Sequence, residues 1–279
     1  MPFFPAPAKL NLFLHVVGQR PDGYHLLQTV FRFLDFYDEI CLEVRDDGLI
    51  RLVTPLENVP VEQDLCVRAA RLLQNESGTK QGVDITLHKH IPMGGGLGGG
   101  SSDAATMLIA LNELWGLNWE RPRLQVLGLK LGADVPVFIF GENAFAEGVG
   151  EQLSALSLPQ AWYLVIVPPV HVSTAEIFSN KKLTRNTIPI TIPPFSIWDG
   201  HNDLESVVCD LYPEVSRSLE WLKHLENTKI AAMSGSGACV FAEFASEYEA
   251  NAALTQMPVD MKGFVARGLN RHPMLKSMK

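Results

Sequence analysis

The chain has 279 residues and a formal net charge of −8, with 47% hydrophobic and 19% charged residues. This composition is typical of a globular protein with room for one large or two ordinary domains, and it argues against a disordered chain. The negative charge argues against a general binder of nucleic acid or membrane surfaces, so an anionic substrate would need a local basic site.

The four cysteines are scattered, and no pair has the spacing of a zinc site or of a disulfide framework. No apolar segment reaches membrane-spanning length, and the N-terminal residues lack the basic and apolar regions of a signal peptide. These features predict a soluble cytoplasmic protein with reduced thiols and with neither nucleic acid nor membrane among its partners.

Strand patterns and helix patterns alternate along the N-terminal half of the chain. Alternation of apolar and polar residues over residues 10–16 predicts a half-buried strand, with Lys9 and Asn11 on its polar side. Further strands are expected at residues 28–36, 39–44, 49–54, 83–88 and 144–147, and helices at 65–75 and 123–131.

The pattern changes near residue 155, where we place the boundary between an N-terminal domain (residues 1–155) and a C-terminal domain (residues 156–279). Prolines and polar residues dominate residues 184–202, which predicts a long surface segment. In this half strands are expected at residues 162–167 and 263–267, a hairpin with a glycine-rich tip at 230–243, and helices at 204–225 and 246–257.

The run from Pro92 to Asp103 contains six glycines and lies between a strand pattern and a helix pattern. Ser101, Ser102 and Asp103 stand where a helix N-cap belongs. Residues without a Cβ let backbone N–H groups approach an anion closely, and a helix N-terminus adds free donors and a favourable dipole. The run is therefore expected to bind a phosphate.

Several kinds of loop could produce this run. A Walker A loop requires a lysine after the glycines, and none is present. Gly94, Gly96 and Gly99 match the dinucleotide-binding pattern, but Glu120, which has the offset of its acidic residue, follows a helix rather than a strand. A glycine-rich turn without a ligand is a further alternative, although so many glycines are costly in conformational entropy.

The segment from Pro92 to Ala104 also resembles the phosphate-binding motif of the GHMP kinases, the superfamily of galactokinase, homoserine kinase, mevalonate kinase and phosphomevalonate kinase. It has two additional glycines before Ser101, and this longer loop is similar to that of the branch that phosphorylates cytidine-diphospho-methylerythritol. Other segments that resemble this branch or the superfamily are Pro-Ala-Lys-Leu-Asn-Leu at 7–12, Arg-Pro-Asp-Gly-Tyr-His at 20–25, Gly-Ala-Asp-Val-Pro at 132–136 and Ser-Gly-Ser-Gly-Ala-Cys at 234–239.

The resemblance implies an α+β fold of two domains, with a left-handed βαβ N-terminal domain, a ferredoxin-like C-terminal domain and the active site between them. It implies ATP-dependent phosphorylation of the 2-hydroxyl of the cytidine-diphospho substrate in the non-mevalonate isoprenoid pathway, with Mg²⁺ on the ATP phosphates. The alternatives are another small-molecule kinase of the superfamily, or a nucleotide-binding regulator of the same fold without activity.

By this resemblance Lys9 and Asp134 are the catalytic pair, with Asp134 as general base. Phosphoryl transfer to an alcohol needs a carboxylate near the attacking hydroxyl and a cation that holds the charges in place. The residues expected to contact the substrate are Asn11, Tyr24, His25 and Phe178, with the aromatic rings and His25 at the cytosine.

The resemblance places ATP on the glycine loop, with Lys89 and Asp64 near the adenine. The expected ATP-binding residues are Pro92, Met93, Gly94, Gly95, Gly96, Leu97, Gly98, Gly99, Gly100, Ser101, Ser102, Lys89 and Asp64. His88 and His90 share a strand face without a third ligand, so no metal site built by the protein alone is expected. The enzyme is expected to be a monomer or a weak homodimer.

Overall fold

The computed structural model describes residues 3–57, 59–190 and 201–275. Both halves of the chain combine strands and helices. The N-terminal half contains β1 (Phe3–Gln19), β2 (His25–Arg45), β3 (Ile50–Leu52), α1 (Leu65–Ser77), β4 (Gly82–His88), α2 (Gly99–Leu114), α3 (Arg121–Leu129), α4 (Val135–Phe140), β5 (Ala144–Glu147) and β6 (Gln152–Ala155). The C-terminal half contains β7 (Trp162–Ile166), α5 (Thr174–Ser179), α6 (Glu205–Leu211), α7 (Pro213–Lys223), β8 (Ile230–Met233), β9 (Val240–Phe244), α8 (Glu247–Thr255) and β10 (Gly263–Leu269).

The first two strands form a long antiparallel pair at the centre of the molecule. β1 is buried on both faces from Ala6 to Val16, so the prediction of a half-buried strand was wrong. Its side chains belong to three hydrophobic clusters, one in each half of the chain and one between them. Both faces of β1 are covered because the C-terminal half packs against the side that a single domain would leave in water.

β2 is one continuous strand where the sequence predicted two. The polar Asp38 lies near the expected break, but it is fully buried and its carboxylate accepts hydrogen bonds from the N–H groups of His90 (2.6 Å) and Ile91 (2.8 Å). A buried acid is tolerated here because the chain beyond β4 supplies donors for it.

In the N-terminal half β3 runs parallel to β4, and α1 connects them as a βαβ unit. Helix α1 packs against α2, and α2 packs against β1 and α4. The apolar faces of these helices and of the sheet form the largest cluster, which includes Leu73, Ile85 and Leu108. The left-handed crossover that the resemblance implies stays a prediction.

The C-terminal half is a βαββαβ arrangement whose strands lie in the order β10-β7-β9-β8. All neighbours in this sheet are antiparallel, which is the ferredoxin-like topology that was predicted. The predicted helix at 204–225 is divided into α6 and α7 before Pro213, because proline has no N–H and cannot continue a helix.

The two halves share one sheet. The end of β10 pairs with β2, through Gly268 with Leu34 and Leu269 with Phe33, so the strand order continues from β3 in the N-terminal half to β8 in the C-terminal half. The proposed boundary after residue 155 stays a prediction, and β10 crosses it in space. Among the described residues no helix is long and apolar enough to cross a membrane.

Candidate active site

A cleft of about 730 Å³ lies between the two halves of the molecule. The glycine run, β1 and the turn between β8 and β9 border it. Most of the residues predicted to bind ATP or substrate line this cleft, namely Lys9, Asn11, Asp64, Lys89, Pro92, Met93, Gly94, Gly95, Gly96, Leu97, Gly98, Gly99, Gly100, Ser101, Asp134 and Phe178. Ser102 is fully buried behind the loop.

Helix α2 begins at Gly99, and its N-cap is Gly98 rather than Ser101, Ser102 or Asp103. The prediction of a side-chain cap was wrong for a steric reason. Gly98 has a φ of 72°, and a Cβ there would lie 2.9 Å from the Phe138 ring and 3.0 Å from the Lys9 side chain. The cap position thus has no room for a side chain, and the first N–H groups of α2 stay available to an anion in the cleft.

The glycine loop is clamped by the turn between β8 and β9. The Gly96 carbonyl accepts hydrogen bonds from Lys9 Nζ (2.9 Å) and Ser234 Oγ (3.0 Å), and the Gly95 carbonyl accepts one from the Cys239 N–H (3.1 Å). A Cβ on Gly96 would lie 2.1 Å from the Ser234 carbonyl oxygen. The loop needs glycine at this position because two backbone segments meet here without space for a side chain.

The predicted catalytic pair is in contact. Lys9 Nζ lies 3.2 Å from Asp134 Oδ2, and the lysine side chain is 3% exposed while the aspartate side chain is 36% exposed. Asp134 stands directly before α4 and does not cap that helix with its side chain. The carboxylate is therefore held by a buried cation and is still accessible from the cleft.

Asn11 extends this polar group along β1. Its side-chain oxygen accepts a hydrogen bond from Lys9 Nζ, and its amide nitrogen donates to Thr29 Oγ1 at 2.9 Å. The Asn11 backbone N–H donates to Ser234 Oγ at 3.2 Å. Thr29 and Ser234 were not predicted as site residues, although both bind the group that holds Lys9 in place.

Lys89 and Asp64 lie at the end of the cleft near α1. Lys89 forms ion pairs with the buried carboxylates of Asp38 and Asp103, the latter at 2.6 Å. Burial raises the pKa of Asp103 to about 7 despite the neighbouring ammonium, whereas the two carboxylates outweigh burial and raise the pKa of Lys89. Asp64 caps α1 by accepting hydrogen bonds from the N–H groups of Cys66 and Val67. Both residues line the cleft, and their contacts with ATP stay predictions.

His25 and Phe178 come together from opposite halves of the chain. Their ring centroids are 4.9 Å apart, and Arg185 Nε donates to His25 Nε2 at 3.1 Å. Burial and the arginine charge lower the pKa of His25. The Tyr24 side chain is 63% exposed and lies beside this group in the sequence. Phe178 lines the cleft, so an aromatic surface is available there for a planar base.

Several other polar residues of the site were not predicted to act there, although Ser236 lies within the motif at residues 234–239. Thr174 Oγ1 and Ser236 Oγ are 2.7 Å apart on the wall of the cleft. Asn202 is buried and donates to the carbonyls of Met233 (2.9 Å) and Gly235 (2.7 Å), which supports the glycine-rich turn from below. Arg185 stands in the polar segment at 184–202, where the sequence pattern indicates only a surface excursion.

Two family models match the chain. The model of the GHMP kinases N terminal domain matches residues 64–142, and the model of the GHMP kinases C terminal domain matches residues 196–261. The first includes the glycine loop and Asp134, and the second includes the turn that clamps the loop.

Curated relatives resemble the chain over nearly its whole length. It is 68% identical over 270 residues to a 4-diphosphocytidyl-2-C-methyl-D-erythritol kinase of Nitrosospira multiformis, with 97% of this chain and 92% of the relative covered. Proteins of the same name from Nitrosomonas europaea (59% identical, 98% and 99% covered) and Thiobacillus denitrificans (60% identical, 97% and 96% covered) are similar to it as well.

Solved structures with the same fold include a 4-(cytidine 5'-diphospho)-2C-methyl-D-erythritol kinase. This structure has a TM-score of 0.82 and 32% sequence identity, with 96% of this chain and 99% of that chain covered. The mevalonate kinase of Methanococcus jannaschii has a TM-score of 0.70 at 15% identity, with 96% of this chain and 98% of that chain covered, and it supports the fold alone.

Proposed function

The chain belongs to the GHMP kinase family, and within it to the 4-diphosphocytidyl-2-C-methyl-D-erythritol kinases; from this premise we propose how its cleft performs the reaction. The enzyme transfers the γ-phosphoryl group of ATP to the 2-hydroxyl of 4-(cytidine 5'-diphospho)-2-C-methyl-D-erythritol. This is a step in the supply of isoprenoid precursors by the non-mevalonate pathway.

The observation that supports the mechanism is the Lys9–Asp134 pair on the wall of the cleft beside the glycine loop. Asp134 accepts the proton of the substrate hydroxyl. The oxygen of that hydroxyl bonds to the γ-phosphorus of ATP, and the bond between the γ-phosphorus and the ADP oxygen breaks. Lys9 orients the carboxylate through their ion pair and stabilises negative charge on the transferred group. Its bonds to Asn11 and to the Gly96 carbonyl fix the ammonium for this task.

The ATP phosphates bind at the first turn of α2, where free N–H groups and the helix dipole favour negative charge. Among the described residues no cluster of three or more His, Cys, Asp or Glu side chains could hold a metal ion. Mg²⁺ in kinase sites is commonly held by substrate phosphates and by one or two protein oxygens. Ser101 and Asp134 line the cleft and would offer such oxygens, and the ion would neutralise charge on the ATP phosphates.

The cytosine binds at the surface formed by Tyr24, His25 and Phe178, and Asn11 faces the rest of the substrate. This surface favours the cytidine substrate over the acceptors of other GHMP kinases, which lack a planar base. The contact between Lys9 and Asp134 argues against an inactive regulator, because a protein that only binds nucleotide has no need of a buried cation that holds an accessible carboxylate.

We expect a cytoplasmic enzyme that acts as a monomer or a weak homodimer, with an ATP-binding domain at residues 1–155 and a second domain at 156–279. All four cysteines are free, which is compatible with a reducing compartment.

The test is release of ADP in the presence of the cytidine substrate. We expect Asp134→Ala to lower kcat by about 10² or more, the scale of general-base and positioning effects, while binding of an ATP analogue is kept. Asp210→Ala is the matched control, because this exposed acid pairs only with the surface Lys182 and should leave turnover unchanged.

Mevalonate and homoserine are the comparison substrates. Equal turnover of either one by the wild-type enzyme would contradict the substrate assignment. Equal, slow release of ADP by the wild type and Asp134→Ala with every acceptor would instead contradict the proposal of a kinase.

A further inference from the structure

Arg185 connects the two sides of the surface proposed to bind cytosine. Its Nε donates to Nε2 of His25 at 3.1 Å, and His25 is the first residue of β2. Its Nη2 donates to the carbonyls of Phe178 (2.8 Å) and Asn180 (2.9 Å), at the end of α5. Its Nη1 donates to the Leu183 carbonyl at 3.0 Å. One guanidinium group therefore holds both His25 and the segment that bears Phe178.

The bond to His25 also determines where the imidazole carries its proton. Arginine is always a donor, so Nε2 must accept with its lone pair. The ring is then neutral, with its proton on Nδ1. The positive charge of Arg185 and burial of the ring both lower the pKa of His25, which keeps this neutral form at mildly acidic pH. The ring of Phe178, 4.9 Å away, packs against the imidazole and brings no opposite charge to it.

We propose that Arg185 is a positioning and specificity-determining residue, which makes His25 a hydrogen-bond donor to the base and so selects cytosine over uracil. N3 of cytosine is an acceptor, whereas N3 of uracil carries a hydrogen and is a donor. An imidazole with its proton on Nδ1 matches the first and opposes the second, and opposed donors are a strong source of discrimination. This inference rests on the proposed function, because it takes His25 and Phe178 as the site of the base.

The variant Arg185→Met keeps the length of the side chain and removes every donor. Its matched control is Lys182→Gln, which removes a positive charge from the same segment but only a surface ion pair with Asp210. We expect Arg185→Met to raise KM for the cytidine substrate about tenfold, the scale of a lost hydrogen bond to a charged group, with a smaller change in kcat. The preference for the cytidine substrate over its uridine counterpart should fall, whereas Lys182→Gln should keep it.

Two further measurements distinguish this role from simple support of the fold. In ¹⁵N NMR spectra of the full-length enzyme, His25 should show protonated Nδ1 and unprotonated Nε2 in the wild type and in Lys182→Gln, and a mixture of the two tautomers in Arg185→Met. Loss of the arginine charge should raise the pKa of His25. NMR spectra recorded over a pH series should therefore show His25 gaining its second proton at higher pH in Arg185→Met than in the wild type.

Arg185→Lys is the conservative variant. A lysine donates from one point and cannot hold His25 and the Phe178 carbonyl together, so it should restore the NMR signature only in part. The proposal is overturned if Arg185→Met keeps the wild-type tautomer and base preference, or if it lowers kcat equally for both substrates without a change in KM. A wild-type enzyme that phosphorylates no cytidine substrate would overturn the proposed function itself.

Discussion

The side chain of Lys9 is held in one position by contacts along its stem and at its ammonium group. Its stem packs against Gly98 and its ammonium contacts Asn11, the Gly96 carbonyl and Asp134. A buried ammonium without such partners would lose its proton or destabilise the fold, because burial disfavours the charged form. The position of the Lys9 ammonium therefore depends on the lack of a side chain at Gly98 as well as on its hydrogen bonds.

Gly98→Ala should lower kcat strongly while most of the protein stays folded. The added Cβ would lie 3.0 Å from the Lys9 stem and 2.9 Å from the Phe138 ring, so these side chains must shift, and a shift of the stem would displace the ammonium beside Asp134. The left-handed backbone adds a cost of about 1–2 kcal/mol to the free energy of folding. We expect kcat to fall at least about tenfold, since small misplacements of catalytic groups are costly.

Gly116→Ala is the control that separates the effect of backbone strain from the effect of displacing the Lys9 side chain. Gly116 also has a positive φ, of 63°, but nothing lies within 4 Å of its added Cβ. Unfolding by urea should show a loss of stability in both variants, smaller in Gly116→Ala because its Cβ meets no neighbour, and steady-state kinetics should show a loss of kcat in Gly98→Ala alone. A normal kcat in Gly98→Ala would contradict the packing argument.

At the scale of secondary-structure elements, β2, the end of β4 and the start of α2 meet at Lys89. β2 contributes Asp38, the residue after β4 is Lys89 itself, and Asp103 is the fifth residue of α2. The ammonium lies between two buried carboxylates, which would repel each other without it. This group holds the first turn of α2 against the sheet, so it supports the helix end at which the phosphates are proposed to bind.

Lys89→Met should destabilise the protein by about 3–5 kcal/mol, because removal of one partner leaves uncompensated buried charge. The double variant Lys89→Met/Asp103→Asn should recover part of this loss, since only one buried carboxylate remains. Lys130→Met, which breaks only an exposed pair with Glu76, should change stability by no more than about 1 kcal/mol.

Thermal unfolding and binding of an ATP analogue to the same variants also test the predicted contact of Lys89 with ATP. If the double variant regains stability but binds the nucleotide weakly, Lys89 contacts ATP directly. If it regains both, the lysine acts through the structure of α2. Equal stability of Lys89→Met and the wild type would contradict the charge argument.

At the scale of the whole molecule, strand β10 joins the sheets of the two halves. Its first residues pair with β7 and its last residues pair with β2. Beside this junction Arg32 is fully buried, and it donates to Asn270 Oδ1 (3.1 Å) and to the Pro159 carbonyl (3.0 Å). The cleft between the halves is therefore bordered by a continuous sheet and a shared hydrophobic cluster.

Because of this shared sheet we expect both halves to unfold together. Hydrogen exchange measured by mass spectrometry in low urea should give β4 and β9 the same opening free energy, within about 1 kcal/mol, since strands of one cooperative unit exchange through one opening. Separate openings, with β9 exchanging several kcal/mol more easily than β4, would show two independent domains.

Local patterns predicted much of this fold. The strand before the glycine run, the separate strand and helix at residues 49–54 and 65–75, the hairpin at β8–β9 and the last strand follow from apolar periodicity and from glycine and proline punctuation, which act over a few residues. The wrong predictions concern positions whose local structure depends on contacts with segments distant in the sequence. Asp38 does not interrupt β2 because residues 90 and 91 supply its donors, and Gly98 caps α2 because Lys9 and Phe138 fill the space of a side chain.

The sequence by itself determined the phosphate loop, the family resemblance and the identity of Lys9, Asp134, His25 and Phe178 as candidates, because these depend on residue type and local order. Only the tertiary structure decided that Lys9 meets Asp134 and that Arg185 joins His25 to the segment of Phe178. The contacts of Lys9 with Asp134 and of Arg185 with His25 join residues more than a hundred positions apart, and no local preference encodes them. They exist because the hydrophobic surfaces of both halves can be buried only by closing on β1.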